Sequence, residues 1–432
     1  MLVLKRKIKA YMPRLVSAYQ SVRLFVYRNL AWFIYRRQSK VINNLSRIYQ
    51  QHSRKIRVGF LVMENEKWGC QSFFDKLKIH SCFEPVLLLS SLDTDNLPLK
   101  QEKFYKNRAF FQKACGKIIE VYNPQKDQFY SLKPYNLDII FYQQPWSINK
   151  KQNIFATSKF TLPCYIPYSF ANDVKMIKQN LYNFHRLLFR EYISHPFVEQ
   201  EYLRAGLYEI PMKIVGYPKL EVYLKRTEQC GKKYVIYAPH HSIEPHSLRL
   251  GTFAWNGHFM LEYAKQHPEL NWIFKPHPRC KVSFVAEGLF ENRQELEDYY
   301  NQWRRVGKVC ETGNYMDLFQ QAQCLITDCG SFLVEFFPTE KPVIHLKRSD
   351  SNYDAIVSGL VASAYYSVFD LPTLKQTLYT VLEKGTDPLR EERLKQLQTL
   401  QLVVPAADNI IKDIEATFAK KEQKNTVGNL CH

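Results

Sequence analysis

The sequence lacks three features, and each absence excludes a class of protein. No apolar stretch approaches the roughly 20 residues that a membrane-spanning helix needs. The ten cysteines are scattered without a CxxC pair, which argues against a structural zinc site and against a compact disulfide framework. No uninterrupted apolar core with a small-residue cleavage site follows the basic start of the chain, so we expect no signal peptide. A reducing, cytoplasmic compartment fits these absences best.

Acidic residues are absent from the beginning of the chain. No Asp or Glu precedes Glu64, whereas 14 Lys and Arg residues fall in that stretch and supply most of the formal net charge of +19. Apolar residues recur there at near-helical spacing, and Phe33 stands close to Arg36 and Arg37. We therefore predict that residues 1–54 form one or two amphipathic helices that bind an anionic membrane surface, at the inner face of the cell membrane. The alternative is a helical hairpin that packs on the protein's own body or on a second subunit.

Composition excludes two further classes of protein. Hydrophobic residues make up 46% and aromatic residues 14% of the 432 positions, which is incompatible with a disordered chain. The length is sufficient for two domains. Because the positive excess is concentrated in one aromatic-rich segment, we expect no nucleic acid as a partner.

Short apolar strands alternate with helical segments in both halves of the chain. Ile56–Val62 is typical of a buried strand and opens the first such series, and Tyr234–Ala238 opens the second. This alternation predicts an α/β protein with two Rossmann-like domains, whose parallel sheets face a cleft. The predicted units are a membrane-association segment at 1–54, an N-terminal acceptor domain at 55–225, a C-terminal nucleotide-donor domain at 226–385, and C-terminal helices with a tail at 386–432.

Three predicted strands of the second domain end in polar side chains. His240 and His241 follow the first strand, and Lys275 and His277 follow the second. The turn Asp328–Ser331 follows a third strand. Because the carboxyl ends of parallel strands meet at one edge of a sheet, we expect these groups to lie together. A single histidine after a strand is usually structural, but three polar strand ends in one domain favour a ligand site.

The turn after the third strand predicts a phosphate site. Small polar residues stand where a helix begins, so unpaired N–H groups and the helix dipole favour an anion near Gly330 and Ser331. Asp328 either contacts the ligand or caps that helix. Glu335, one turn into the helix, accepts from ribose hydroxyls or is a solvated or capping residue.

A bound metal is not predicted. Two adjacent histidines, His240 and His241, cannot easily chelate one ion from a strand end, and no carboxylate nearby completes a ligand set. We expect no cofactor either, and direct contact of these side chains with phosphate is the favoured interpretation.

Five short motifs occur in an order that resembles the CDP-glycerol glycerophosphotransferases, which are teichoic-acid-polymerase-like enzymes. The motifs are VGYP (Val215–Pro218), PHHS (Pro239–Ser242), FKPHP (Phe274–Pro278), TDCGS (Thr327–Ser331) and EKPVIHL (Glu340–Leu346). The resemblance implies a GT-B fold, a CDP-polyol donor bound in the C-terminal domain and no essential metal. It also implies a role in teichoic acid, capsule or lipopolysaccharide biosynthesis. A weaker similarity links residues 328–335 with the UDP-N-acetylglucosamine 2-epimerases, which place a Glu on the nucleotide ribose.

The chain departs from this family on the acceptor side. The polymerases carry a Trp-His-Gly motif that supplies a catalytic histidine, whereas the corresponding predicted strand here, Cys164–Tyr168, contains none. Tyr168 itself and His185 are the remaining acceptor-side candidates. His185 lies on an apparent helix, where a structural role is the alternative.

The favoured hypothesis is a transferase that moves a polyol phosphate from a CDP-linked donor to a cell-surface glycan or a lipid-linked precursor. Lys275 and Ser331 would neutralise the diphosphate, with His240 in contact with it. A histidine would act as base or acid, with His277 as first choice and His241 as second. Two alternatives stay open: a nucleotide-sugar-dependent glycosyltransferase of the same fold, and a non-catalytic membrane-associated binding protein.

Overall fold

Two parallel sheets organise the chain. The computed structural model describes residues 33–170, 182–225, 233–244, 248–311, 315–350 and 363–419. The first sheet has the strand order β3-β2-β1-β6-β7-β8-β9. Its strands are β1 Ile56–Val62, β2 Phe83–Leu89, β3 Ile118–Glu120, β6 Ile139–Tyr142, β7 Leu162–Tyr165, β8 Arg190–Ile193 and β9 Met212–Ile214. A small antiparallel pair, β4 Tyr122–Asn123 and β5 Gln128–Phe129, lies beside it.

The second sheet has six parallel strands in the order β12-β11-β10-β13-β14-β15. They are β10 Tyr234–Ala238, β11 Asn271–Phe274, β12 Lys308–Val309, β13 Ala322–Thr327, β14 Val343–Leu346 and β15 Tyr366–Val368. Both sheets begin with the strand that the sequence predicts at that position. The predicted α/β class with two Rossmann-like units is thus confirmed.

Helices connect the strands of both sheets. They are α1 33–51, α2 Gln71–Ile79, α3 Leu97–Cys115, α4 Ile154–Thr157, α5 Tyr182–Arg186, α6 Pro196–Arg204, α7 Phe253–Gln266, α8 Cys280–Ala286, α9 Arg293–Val306, α10 Met316–Gln321, α11 Gly330–Phe336, α12 Leu371–Leu378, α13 Arg390–Leu400 and α14 Ala406–Ala419. Several begin at a polar cap, as at Asn96, whose side chain accepts from the Leu99 N–H at 3.1 Å. Within the described ranges, none of the helices has the length and apolar character needed to cross a membrane.

Each sheet is covered on both faces. Side chains alternate along a strand, so Phe60 of β1 enters one apolar cluster while Leu61 enters another. In β10, Ile236 and Tyr237 divide between two clusters in the same way. Burial on both faces accounts for the nearly continuous apolar character of these strands.

Helix α1 packs on the body of the first unit. Ile34 and Leu45 are buried in its apolar clusters, and the Gln38 side-chain amide donates to the Leu187 carbonyl at 3.1 Å. The opposite face exposes Arg36 and Arg37. For the buried face of residues 33–51, the alternative prediction of packing on the protein's own body is therefore confirmed. The rest of the predicted membrane segment, residues 1–32, lies outside the described residues.

The last helix returns to the first sheet. Ile410, Ile414 and Phe418 of α14 enter the same apolar cluster as β1, although they follow the second sheet in the sequence. The Asp413 carboxylate accepts from Arg190 Nε at 3.0 Å. The predicted domain bounds stay a prediction, since residues 226–232 at the expected boundary lie outside the described residues.

Gly216 of the VGYP motif makes room for this return. Its φ of +99° is a conformation that side-chain-bearing residues rarely adopt, and a Cβ there would overlap the Val404 side chain. Val404 belongs to the segment that leads from α13 into α14. The glycine is therefore needed both for its backbone angle and for the close approach of the crossing chain.

We expect Ile414→Ala to lower the free energy of unfolding by about 2–5 kcal/mol, because the truncated side chain leaves a cavity in the core of the first sheet. Urea unfolding followed by tryptophan fluorescence measures the change. Lys412→Ala, an exposed neighbour on the same helix, is the control and should change stability by less than about 0.5 kcal/mol. Equal effects of the two substitutions would contradict the packing of α14.

Candidate functional site

The predicted strand ends meet at one edge of the second sheet. β10 lies between β11 and β13, so the loops that begin at Pro239, Lys275 and Asp328 are neighbours. The rings of His240 and His241 have centroids 4.5 Å apart. The His277 ring lies 4.9 Å from the first and 4.3 Å from the second. The three histidines thus form one cluster, as the parallel topology predicts.

Asp328 connects the loops at this edge through hydrogen bonds of its carboxylate. Its carboxylate is fully buried and accepts from the His240 N–H at 2.5 Å. It also accepts from the Thr252 N–H at 2.6 Å and from the Thr252 hydroxyl at 2.8 Å. Burial raises the pKa of Asp328 to about 7, against the lowering effect of these hydrogen bonds. Asp328 therefore positions the loop after β10.

Two expectations for Asp328 are corrected by this placement. It does not cap the following helix, because Cys329 occupies the N-cap position of α11. It also presents no exposed atom to a phosphate, since its oxygens are enclosed by the donors of the other loop. Its contribution to a ligand is indirect, through the position of His240.

Hydrogen bonds fix the ring protons of two histidines. The Arg279 N–H donates to His277 Nδ1 at 3.1 Å, and the Ser242 N–H donates to His240 Nδ1 at 3.2 Å. A neutral imidazole that accepts at Nδ1 carries its proton on Nε2. Both rings therefore offer an Nε2–H donor.

All three histidines are held in the neutral form. Burial, reinforced by Arg279 and by the neighbouring rings, lowers the pKa of His277 to about 2 and that of His240 well below its ordinary value. The pKa of His241 falls to about 4, again mainly through burial. At neutral pH the cluster is uncharged and donates hydrogen bonds.

The cluster is poorly suited to a metal ion. One ring nitrogen from each histidine lies within 4.8 Å of the others, a spacing that a small cation can bridge. A histidine that ligates through Nε2, however, must carry its proton on Nδ1 and donate it. Because backbone N–H groups already point at Nδ1 of His240 and His277, that tautomer is disfavoured.

Lys275 is a buried cation beside the histidines. Its ammonium lies 4.9 Å from the centre of the Tyr315 ring and 5.9 Å from that of Phe332. Within the described part of the chain, no carboxylate is within ion-pair distance of it. Burial lowers the pKa of Lys275. An anion such as a phosphate would supply the countercharge that an ammonium enclosed in this way lacks.

The turn that the sequence predicts as a phosphate site forms, but the helix that follows it is short. Gly330 is buried at the start of α11, and Ser331 is half-buried with its hydroxyl 3.5 Å from the Cys329 thiol. Helix α11 has only seven residues and continues into a 3-10 turn, Phe337–Thr339. The charge of Lys275 is accordingly the stronger anion-binding feature of this edge.

Glu335 connects the two units. Its carboxylate accepts from Lys219 Nζ at 3.1 Å, from the Tyr217 hydroxyl at 3.3 Å, and from the Tyr315 hydroxyl. It is only 1% exposed, so the interpretation as a solvated or capping residue is wrong. Contact with a ribose stays a prediction and requires a ribose hydroxyl to replace one of these donors.

The two acceptor-side candidates lie in different places. His185 is buried, and its Nδ1 lies 2.6 Å from the Glu191 carboxylate, which supports the structural interpretation. Tyr168 is half-buried beyond the end of β7, a strand that ends at Tyr165 and so is shorter than predicted. The Tyr168 carbonyl accepts from the Tyr217 hydroxyl at 2.6 Å, which brings it to the junction with the second unit.

Several residues beside Tyr168 were missed by the sequence analysis. Lys67 follows β1 and lies 5.2 Å from the ring centres of both Tyr168 and Trp146. It is paired with Glu64, and Gln144 Oε1 accepts from its ammonium at 2.6 Å. The sequence does contain a pattern that indicates these residues, because polar residues follow the buried strand β1 just as they follow β10.

No protein-family model matches the chain, and no curated protein matches it. Solved structures with similar architecture include a UDP-GlcNAc 2-epimerase from Neisseria meningitidis bound to UDP-GlcNAc, with 12% identity and a TM-score of 0.54 over 84% of this chain and 100% of that one. The MnaA–UDP complex of S. aureus shares 11% identity, with a TM-score of 0.53 over 86% and 100% of the two chains. The wall teichoic acid polymerase TagF shares 12% identity, with a TM-score of 0.53 over 89% and 97%. At such identities the likeness establishes the fold, which is GT-B.

We expect His277→Gln to reduce the acid sensitivity of the fold. Below about pH 6.5 the unfolded ring takes up a proton that the folded ring refuses until about pH 2, so acid favours unfolding. Between pH 7 and pH 5 the free energy of unfolding of the wild type should fall by about 1–2 kcal/mol more than that of the variant. Urea unfolding at both pH values measures this difference, and exposed His258→Gln should behave like the wild type. An unchanged pH dependence in His277→Gln would contradict the buried neutral ring.

Proposed function

We propose that the protein transfers a polyol phosphate, similar to glycerol phosphate, from a CDP-linked donor to a hydroxyl of a cell-surface glycan or its lipid-linked precursor. The observation that carries the proposal is the buried ammonium of Lys275, which has no carboxylate partner among the described residues and lies at the same sheet edge as three neutral histidines. A diphosphate satisfies such an edge with both charge and hydrogen-bond acceptors. The order of the sequence motifs supports a cytidine nucleotide and a polyol.

The reaction breaks one phosphorus–oxygen bond and forms another. The acceptor oxygen attacks the phosphorus distal to the nucleoside, and CMP leaves. Lys275 stabilises the charge that develops on the phosphate oxygens. His277 offers Nε2–H, so it acts as a donor to the departing phosphate and not as a base towards the acceptor. The His241 ring lies beside it, with its centre 4.3 Å from that of His277, and is the second candidate for contact with the phosphate.

A nucleotide-sugar glycosyltransferase is the second candidate. The similar epimerase structure contains UDP-GlcNAc, and a sugar donor carries the same diphosphate that the edge would bind. In that case the broken bond joins the sugar carbon to the diphosphate oxygen. The two candidates therefore share the site and differ in the donor that releases its nucleotide.

We also propose that the exposed face of α1 brings the protein to an anionic membrane surface at the inner face of the cell membrane. Arg36, Arg37 and Lys40 are exposed on that face, and the Phe33 ring is 64% exposed. Basic and aromatic side chains on one face of a helix suit the membrane interface. Lipid-linked acceptors would be found at this surface.

His277→Ala should abolish CMP release from CDP-glycerol without unfolding the protein, because the leaving phosphate loses its hydrogen-bond donor. CDP-ribitol and a panel of UDP- and GDP-sugars are assayed in parallel with the wild type by nucleotide release. Release only from the sugar donors would favour the glycosyltransferase. A folded His277→Ala protein with wild-type activity would contradict the role of His277. Failure of every CDP and UDP compound to stabilise the wild type would instead favour a non-catalytic binding protein.

Lys275→Met should separate stability from function. Removal of the buried charge stabilises the ligand-free fold by about 1–4 kcal/mol, while the affinity for CDP falls by at least about tenfold. Thermal unfolding and calorimetric titration with CDP measure the two effects. Lys281→Met is the matched control, because Lys281 is paired with Glu311 and should show neither effect. A destabilised Lys275→Met protein with normal CDP affinity would overturn the anion site.

A further inference from the structure

The first unit presents a carboxylate–ammonium pair that the reaction described above does not use. Glu64 precedes and Lys67 ends the 3-10 turn Asn65–Lys67 that follows β1, at the carboxyl edge of the first sheet. They form an ion pair, and each side chain is 19% exposed. A partly buried pair at the ligand edge of a parallel sheet is where catalytic groups are expected.

Two buried amides fix the backbone of this turn. Gln143 Oε1 accepts from the N–H groups of Met63 and Glu64 at 2.9 and 3.0 Å, and its Nε2 donates to the Glu64 carbonyl at 2.6 Å. Asn107 Nδ2 donates to the Met63 carbonyl at 2.7 Å. The carboxylate is therefore carried on a rigid support, as a positioned catalytic group requires.

The carboxylate has one oxygen available for a substrate. Oε2 accepts from Lys67 Nζ, whereas Oε1 has no protein hydrogen bond among the described residues. The Lys67 ammonium is held between Gln144 and the rings of Trp146 and Tyr168. These two rings are half-buried and meet edge to face at 5.7 Å.

This group lies near the junction with the second unit. The Tyr217 hydroxyl contacts both the Tyr168 carbonyl and the Glu335 carboxylate, so Tyr168 lies directly at the junction of the two units. The Lys67 charge is also among those that lower the pKa of His277. A cavity lined by Lys67 and Tyr168 opens at the same edge.

We propose that Glu64 is the general base that accepts the proton of the acceptor hydroxyl, with Lys67 binding the transferred phosphate. The rings of Trp146 and Tyr168 bind the C–H face of a saccharide or polyol acceptor, because aromatic side chains offer an apolar surface of that size. This assignment rests on the proposed function. It supplies an acceptor-side group where the segment Cys164–Tyr168 contains no histidine.

The step balances with the groups present. The acceptor oxygen forms a bond to the distal phosphorus, and the bond from that phosphorus to the CMP oxygen breaks. The hydroxyl proton passes to Glu64 Oε1, and His277 Nε2–H donates to the leaving phosphate. A carboxylate suffices as the base because phosphoryl transfer has a loose transition state, and protein kinases use an Asp in this position.

The test compares Glu64→Gln with the wild type, using CDP-glycerol as donor and glycerol as the model acceptor. We expect kcat for CMP release to fall by about 10²–10⁴-fold, with the affinity for CDP changed by less than about threefold. Lys67→Met should lower kcat and raise the donor KM together. Glu120→Gln is the matched control, since Glu120 ends the edge strand β3 and is paired with Arg108.

The outcomes separate this inference from the proposed function. A wild type that binds no CDP and releases no CMP overturns both. If the wild type releases CMP and the kcat of Glu64→Gln is within about threefold of the wild-type value, only the assignment of the base is overturned. Loss of CDP affinity in folded Glu64→Gln overturns it too, because Glu64 would then act on the donor. A selective loss of kcat supports it.

Discussion

The buried ammonium of Lys275 is the constraint on which the candidate site depends. A cation removed from water is costly, and no carboxylate among the described residues pairs with this one. The rings of Tyr315 and Phe332 offset part of that cost in the ligand-free fold. Burial, with smaller contributions from nearby positive groups, keeps the neighbouring histidines neutral. An edge that combines one buried ammonium with neutral hydrogen-bond donors suits the diphosphate of the proposed donor. Desolvation thus governs both the protonation of the cluster and the sign of the ligand that we propose for it.

The two units are held to each other by contacts that lie close to this edge. Glu335 accepts from Tyr217 of the VGYP motif and from Lys219, which follows that motif. A later segment of the chain passes Gly216 and places α14 on the first sheet, where it completes the core of the first unit. Gly216 and Glu335 thus both serve the relative placement of the two sheet edges.

The convergence of the histidines was predictable because it follows from topology alone. Parallel strands place their carboxyl ends on one edge, so His240 and His277 could be brought together without knowledge of any side-chain contact. The role of Asp328 was not predictable in this way. Its partner Thr252 lies 76 positions away in the sequence, and only the packed loops show that the carboxylate serves the protein and not the ligand.

Other elements were missed for local reasons. Helix α3, Leu97–Cys115, mixes lysines among its apolar residues, so its buried face is not evident from periodicity. The strand predicted at Cys164–Tyr168 begins and ends earlier, at Leu162–Tyr165, because Pro163 is accommodated within it. Glu64 and Lys67 were missed because a charged pair after a strand is common on surfaces. Only the rings of Trp146 and Tyr168 around the ammonium distinguish this one.

The lack of a histidine on the strand that ends at Tyr165 acquires a different meaning beside these contacts. A histidine there would place a second imidazole on the other side of the phosphate that the proposed reaction transfers. A carboxylate opposite Nε2–H donors divides the roles by chemistry, because the carboxylate can only accept and the neutral ring, with Nδ1 engaged, can only donate. In the proposed reaction the acceptor proton moves towards the first unit, while the second unit supplies hydrogen bonds, and no proton, to the leaving phosphate.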